Sequence, residues 1–274
     1  MRPEDFDYIA GVLKQRSGLM LTQDKIYLLE SRLTPIARQR GLSGLEELIA
    51  KVRMSRDEAL LNEVTEAMTT NESFFFRDST PFDLFRDQFL PVMEANRSSK
   101  RLRIWCAAAS TGQEPYSLAI ILRENWHKWK NWNIEIIGTD ISKQVLNKAR
   151  EGVYSQFEVQ RGLPIQLLIK YFTQDGDVWR VNDDIRRMVN YREFNLLDSF
   201  SGLGQFDAIF CRNVLIYFDQ PTKSDILERQ HRILAKDGAL FLGAAETVLG
   251  ITDRFRPVRG KRGLYAPSDG TSDF

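Results

Sequence analysis

Residues Leu102 to Leu122 read LRIWCAAASTGQEPYSLAIIL, and this stretch decides the fold. LRIWCAA is an apolar run of strand length. Ala108, Ala109, Ser110, Thr111 and Gly112 then make a turn of very small residues, and Pro115 opens a helix. Strand, tight turn and helix in that order set backbone N–H groups at the carboxyl end of a parallel strand, where open α/β sheets hold nucleotide-like ligands. Gly112 is the turn's one glycine. The turn therefore lacks both the G-x-G-x-x-G that admits a pyrophosphate and the G-K-[ST] of a triphosphate site. The expected ligand is a nucleoside without a phosphate chain, and S-adenosylmethionine is the candidate that fits.

Working outward, strands are expected at 102–107, 134–139, 189–194, 206–211, 239–244 and 263–266, with helices near 115–126, 142–150, 164–171 and 221–234. This alternation predicts an α/β fold with a doubly wound, mostly parallel, Rossmann-like sheet. GALFLGAAE and GLYAP would close it as an antiparallel hairpin at one edge. The segment YFTQDGDVWRVNDDIRRMVNYREFN breaks the alternation with Asp175-Gly176 and Asn182-Asp183-Asp184 turn signals, and reads as a small antiparallel insertion at about 171–195. Before residue 70 only helical periodicity occurs, over 4–16, 23–40, 44–53 and 56–69. Ser43 with Glu46 and Ser55 with Glu58 read as capping boxes for the last two. Thr80 is expected to cap the next helix, with Pro81 at its first position. The organisation is thus a helical substrate-recognition domain over 1–70, a linker and helix over 71–101, and a ligand-binding domain over 102–274.

Bulk properties narrow the function classes. With 274 residues, 43% of them hydrophobic, the chain can bury a large core and a small one. A net charge of +1 gives no global attraction to nucleic acid or to a membrane surface. Cys106 and Cys211 lie in apolar runs and read as buried, reduced thiols. His127 and His231 have no ligand-spaced partners, so no metal site is expected. The amino terminus is an amphipathic helix rather than a signal peptide, and no apolar run reaches the ~20 residues of a membrane span. A cytoplasmic location is expected.

Several residues can carry chemistry. Asp140 ends the second strand, where a carboxylate can accept both ribose hydroxyls; it can equally cap the helix starting near Ser142. Glu114 lies at a helix N-terminus, where the dipole favours a carboxylate with or without a ligand, and its charge suits an amino or sulfonium group. Arg212 and Asn213 follow the buried strand FDAIFC, and Tyr217 follows them; Asn195 and Leu196 sit next along the same rim. In NESFFFR, three consecutive phenylalanines cannot share one face, so the segment must wrap between surfaces. Asn71, Ser73 and Arg77 can share one side of it if it is extended. A guanidinium grips a carboxylate through two parallel bonds, which makes Arg77 the candidate contact with an acceptor.

TTNESFFFR, AAASTGQEPYSLA, NLL at 195–197 and FDAIFCRNVLIYF together resemble the CheR family of chemotaxis-receptor glutamate methyltransferases, along nearly the whole chain. The resemblance implies an S-adenosylmethionine-dependent methyltransferase that forms glutamyl methyl esters on the cytoplasmic helices of chemoreceptors and leaves S-adenosylhomocysteine. By motif match, its cofactor contacts fall on Asn71, Ser73, Arg77, Glu114, Asp140, Asn195, Leu196, Arg212 and Asn213. Tyr217 matches the tyrosine near the transferred methyl, and Arg77 and Tyr217 are the expected catalytic pair. Ser73 and Gln113 replace a threonine and a glutamate of enteric members, and both keep hydrogen-bonding capacity. The hairpin loop around TQDGDV is shorter than in members that dock a receptor pentapeptide, which predicts independence from that tether.

A protein partner also needs a docking surface, and Arg32, Arg38 and Arg40 on the second helix are candidates for an acidic receptor face. An ordinary solvated basic face accounts for them as well. The rival functions are a methyltransferase for a small molecule or RNA, and a non-catalytic S-adenosylmethionine-binding regulator. A nicotinamide dehydrogenase is disfavoured by the missing glycines.

Overall fold

The apolar run read first forms β1 (Arg101–Cys106). It is followed by β2 (Asn133–Asp140), β3 (Val153–Ser155), β4 (Phe172–Asp175), β5 (Val178–Val181), β6 (Val189–Glu193), β7 (Phe206–Cys211), β8 (Leu234–Leu242), β9 (Phe255–Pro257) and β10 (Leu264–Pro267). The computed structural model describes residues 1–55, 57–272 and 274. The chain divides into Met1–Thr70 with Tyr217–Thr222, and Asn71–Ile216 with Lys223–Phe274.

In the larger unit, seven strands run in the order β6-β2-β1-β7-β8-β10-β9. The five from β6 to β8 are parallel, and β10 and β9 add antiparallel at the edge. The strand order reverses between β1 and β7, so the loops at their carboxyl ends flank the crevice where such sheets bind ligands. All six residues of β7 are buried, as expected of a strand covered on both faces. Phe210 and Phe241 pair in register on β7 and β8 and stack at 4.3 Å. Phe82, Phe85 and Phe89, from the helical run 80–96, complete that layer. On the other face Trp105 packs on Phe200 and Phe206.

The insertion is built differently from the expected meander. β4 and β5 form its hairpin, closed by the two-residue loop Gly176–Asp177, with Gly176 at φ +58°. Their third partner is β3, pairing antiparallel with β5. The run containing Val189 and Tyr191 takes no part in this small sheet and forms the expected strand near 189–194, lying parallel to β2. At three residues each, β3 and β9 are too short to show a period, so only pairing reveals them.

The helical unit holds α1 (Pro3–Ser17), α2 (Ile26–Gln39), α3 (Leu45–Met54) and α4 (Glu58–Met68) around Ile9, Leu13, Leu29, Leu33, Leu48 and Val64. Neither expected capping box forms there. Ser43 donates to Glu47 rather than pairing with Glu46, and Gly44 precedes α3. Asp57 caps α4 through the N–H groups of Ala59 and Leu60, taking the place assigned to Ser55. Ser79, at φ +37°, precedes the helix Thr80–Leu84, which puts Thr80 at its first position and Pro81 at its second. Of these three helix starts only α4 has a side-chain cap; Gly44 and Ser79 precede theirs without one. No helix among the described residues is long and apolar enough to cross a membrane.

Candidate active site

Four loops meet the carboxyl ends of β1, β2, β6 and β7, and the segment Asn71–Asp78 is stitched to them. After β1, Gly112 takes φ +94° to start the helix Gln113–Glu124. A Cβ there would lie 2.7 Å from the Tyr191 hydroxyl and 2.9 Å from the Ala149 methyl, so glycine is required on both counts. Ser110 is also left-handed, at φ +49°, without glycine's freedom. Two bonds hold it: its N–H donates to Asp140 Oδ2 at 2.9 Å, and its hydroxyl to the Asn71 carbonyl at 2.8 Å.

Asp140, buried at the end of β2, also accepts the Ser142 N–H at 3.1 Å. Ser142 itself caps the helix Lys143–Glu151, so the capping role considered for Asp140 belongs to its neighbour. Asp140 ties the β1 turn to the β2 turn. Its carbonyl accepts from Phe194, which brings the end of β6 alongside. There Asn195 folds its side chain onto the Leu197 N–H, and Leu196 is buried with its carbonyl held by Arg229.

After β7 comes Arg212, whose side chain is 1% exposed. Nη1 donates to Glu114 Oε2 at 2.8 Å, and Nη2 to the Arg77 carbonyl at 2.6 Å and Asp78 Oδ2 at 2.9 Å. Its Nε is buried with no partner among the described residues. Burial pushes the Glu114 carboxyl above its ordinary range, while the Arg212 guanidinium pulls it back. Asn213 follows at φ +59°.

The three phenylalanines of Asn71–Asp78 face different surroundings, as their crowding requires. Phe75 is fully buried, edge-on to Tyr154 and Phe172; burying such a ring stabilises by about 2–3 kcal/mol. Phe76 meets Phe82, and its N–H donates to the Ser117 hydroxyl. Phe74 lies under the Arg161 guanidinium at 4.3 Å and that of Arg77 at 5.5 Å. The Arg77 side chain turns back to the Glu72 carbonyl at 2.7 Å, so it is its backbone that meets Arg212. Ser73 is half-buried within the same segment.

The structure thus brings Asn71, Glu114, Asp140, Arg212 and the Arg77 backbone into linked contacts, with Asn195 and Leu196 on the adjoining loop. Tyr217 groups with the helical unit, where its carbonyl accepts the Met20 N–H at 2.9 Å. Arg32 and Arg40 are engaged inside that unit. Arg32 holds the Met68 and Thr69 carbonyls, and Arg40 pairs with Glu63. Arg38 is exposed. Sequence reasoning missed Asp78, Ser110 as more than a turn residue, and Glu246, which accepts four backbone N–H groups. Adjacency to Arg77 was the one signal for Asp78; for Glu246 there was none.

The chain matches two family models: "CheR methyltransferase, all-alpha domain" over residues 4–69 and "CheR methyltransferase, SAM binding domain" over residues 71–264. It is 39% identical to the chemotaxis protein methyltransferase Cher2 of Pseudomonas putida, covering 95% of this chain and 96% of that protein. It is 41% identical to chemotaxis protein methyltransferase 1 of Vibrio cholerae, covering 92% of each. Likeness to solved structures is slight. PKMT2 from Rickettsia typhi gives a TM-score of 0.39 at 17% identity over 63% of this chain and 26% of that one, too little to inform the site.

Proposed function

This chain belongs to the CheR methyltransferase family, and on that premise we propose that it methylates glutamate side chains on the cytoplasmic helices of chemoreceptors, with S-adenosylmethionine as donor. The observation that carries this reading is the buried Glu114–Arg212 pair at the ends of β1 and β7, stitched to Asn71–Asp78 beside a turn without phosphate-binding glycines.

The residues fit such a cofactor. Gly112 keeps side chains out of the turn, and Asp140 offers a carboxylate for ribose hydroxyls. Glu114 supplies a buried anion, and the unpartnered Arg212 Nε is a donor for a carboxylate. Asn71, Ser73, Asn195, Leu196 and Asn213 complete the proposed contacts. The bound cofactor supplies a methyl group made electrophilic by its sulfonium. Asp140 and Glu114 orient it, and Arg77 orients the acceptor without binding it so tightly that nucleophilicity is lost. Tyr217 is assigned to the methyl group's surroundings. Held by these residues, the cofactor would supply the methyl group that the acceptor carboxylate takes, and S-adenosylhomocysteine would remain. Charge is neutralised along the way, so a site that excludes water favours the reaction.

A glutamate with a pKa of about 4.3 is already ionised at neutral pH, so no base is needed. Turnover at saturating substrates should therefore be flat from about pH 6 to 8, and a steep rise through 7 would reveal a titrating proton acceptor. The decisive experiment incubates the protein with methyl-labelled cofactor and receptor-bearing membranes. Base-labile label on receptor glutamates supports the assignment; cofactor binding without transfer supports a regulator instead.

Receptor docking is assigned to Arg32 and Arg38 of α2 and to Arg40, which follows it. Because Arg32 and Arg40 already have partners in the helical unit, Arg38 is the cleanest probe. Arg38→Glu should raise the receptor KM severalfold, reflecting about 1 kcal/mol of lost complementarity, and leave adenosylhomocysteine affinity unchanged. An unchanged KM removes this face from the interface. The two-residue β4–β5 loop supports a further reading, that the enzyme works without a receptor tether. Receptors with and without their C-terminal pentapeptide should then be methylated equally fast. The proposed location is the cytoplasm, where those receptor helices lie.

A further inference from the structure

Glu246 lies in the loop after β8, far along the chain from every residue assigned to the site. Its Oε2 accepts the N–H groups of Asn213 at 2.8 Å and Gly243 at 2.7 Å. Its Oε1 accepts those of Val214 at 2.9 Å and Leu215 at 2.8 Å. One carboxylate therefore gathers four backbone donors, three of them consecutive residues leading into the 3₁₀ turn Leu215–Tyr217. The amides that open a helical turn have no partners within it, and here a remote anion satisfies them.

The arrangement is tight as well as fully bonded. A Cβ on Gly243 would lie 2.7 Å from Glu246 Oε2 and 2.9 Å from Asn213 Nδ2. The segment being held starts next to Arg212 and includes Asn213, which carries a left-handed backbone without being glycine. That conformation is unfavourable by itself and persists because its surroundings fix it.

We propose that Glu246 is a positioning residue for the methyltransferase site: its carboxylate fixes the exit loop of β7 so that Arg212 and Asn213 present their polar groups to the cofactor. This rests on the proposed function. The four hydrogen bonds need an anion with two equivalent oxygens. Glutamine keeps the shape but turns an amide NH₂ toward two N–H donors, so one pair of bonds is lost and replaced by donor–donor repulsion.

The test measures S-adenosylhomocysteine affinity by calorimetry and amide hydrogen exchange at residues 213–215, on the full chain. Glu246→Gln should weaken binding tenfold or more and expose those amides to exchange, while the ligand-free melting temperature moves by only a few degrees. Gly243→Ala leaves Glu246 in place but pushes on its carboxylate, and should reproduce both changes; it decides the matter if the glutamine variant fails to fold. Affinity within twofold of wild type in a folded variant overturns the proposal, as does tenfold weaker binding with unchanged exchange at 213–215. Wild-type protein that binds no adenosylhomocysteine overturns the functional reading instead.

Discussion

Arg212→Ala should destabilise the protein by about 3–5 kcal/mol and abolish cofactor binding, because it strands a buried carboxylate. Arg212 serves three acceptors at once: Glu114, Asp78 and the Arg77 carbonyl. Glu114 has a side chain only 12% exposed and cannot recover water in exchange. Arg212→Lys keeps the charge but not the fork that reaches acceptors in different directions, so an intermediate loss is expected. The pH dependence carries a sign. Burial already holds the Glu114 carboxyl above its ordinary range, and removing the cation takes away the influence that opposes this. A raised folded-state pKa stabilises the protonated form, so the alanine variant should regain stability as pH falls and lose it as pH rises through that pKa. Urea titrations at several pH values read this directly. A loss below about 1 kcal/mol, flat with pH, would mean that Glu114 is not held as an anion by Arg212.

Asp140→Ala should lower adenosylhomocysteine affinity at least about 100-fold, from two charge-assisted hydrogen bonds of about 1.5–3 kcal/mol each. The same change releases the Ser110 and Ser142 amides, so a stability loss of about 1–3 kcal/mol should accompany it. Asp140→Asn separates the two effects. The amide oxygen can still hold one of the two turns, so stability should recover more than affinity. Calorimetry on folded variants decides the matter, and affinity equal to wild type in Asp140→Ala removes this carboxylate from the cofactor site.

Much of the fold was legible because parallel strands buried on both faces leave long apolar runs. β1, β2 and β7 announced themselves in this way, and the turn between β1 and its helix showed both the kind of crevice and the ligand it excludes. The short strands β3 and β9 were invisible, since three residues carry no period. Caps misled for a related reason. Ser43 turns to Glu47, Asp57 two residues on from Ser55 takes the α4 amides, and Thr80 falls inside its helix behind Ser79, choices that residue spacing does not reveal.

Within the site, the sequence named Glu114 and Arg212 separately, 98 residues apart, with no means of pairing them. It marked Arg77 for its guanidinium, whereas the fold brings its carbonyl to Arg212 and turns the side chain toward Glu72. Glu246 was unreadable because its partners are backbone amides, which every residue type provides.

What the sequence determined by itself was therefore the class of sheet, the nature of its crevice and the chemical type of each rim residue. These follow from local patterns of apolar runs, small turns and charged groups. Only the tertiary structure decided which charges neutralise one another and which backbone groups they hold. Those pairings depend on strands and loops distant in the chain being brought within 3 Å, where burial makes an unpaired ion too costly to keep.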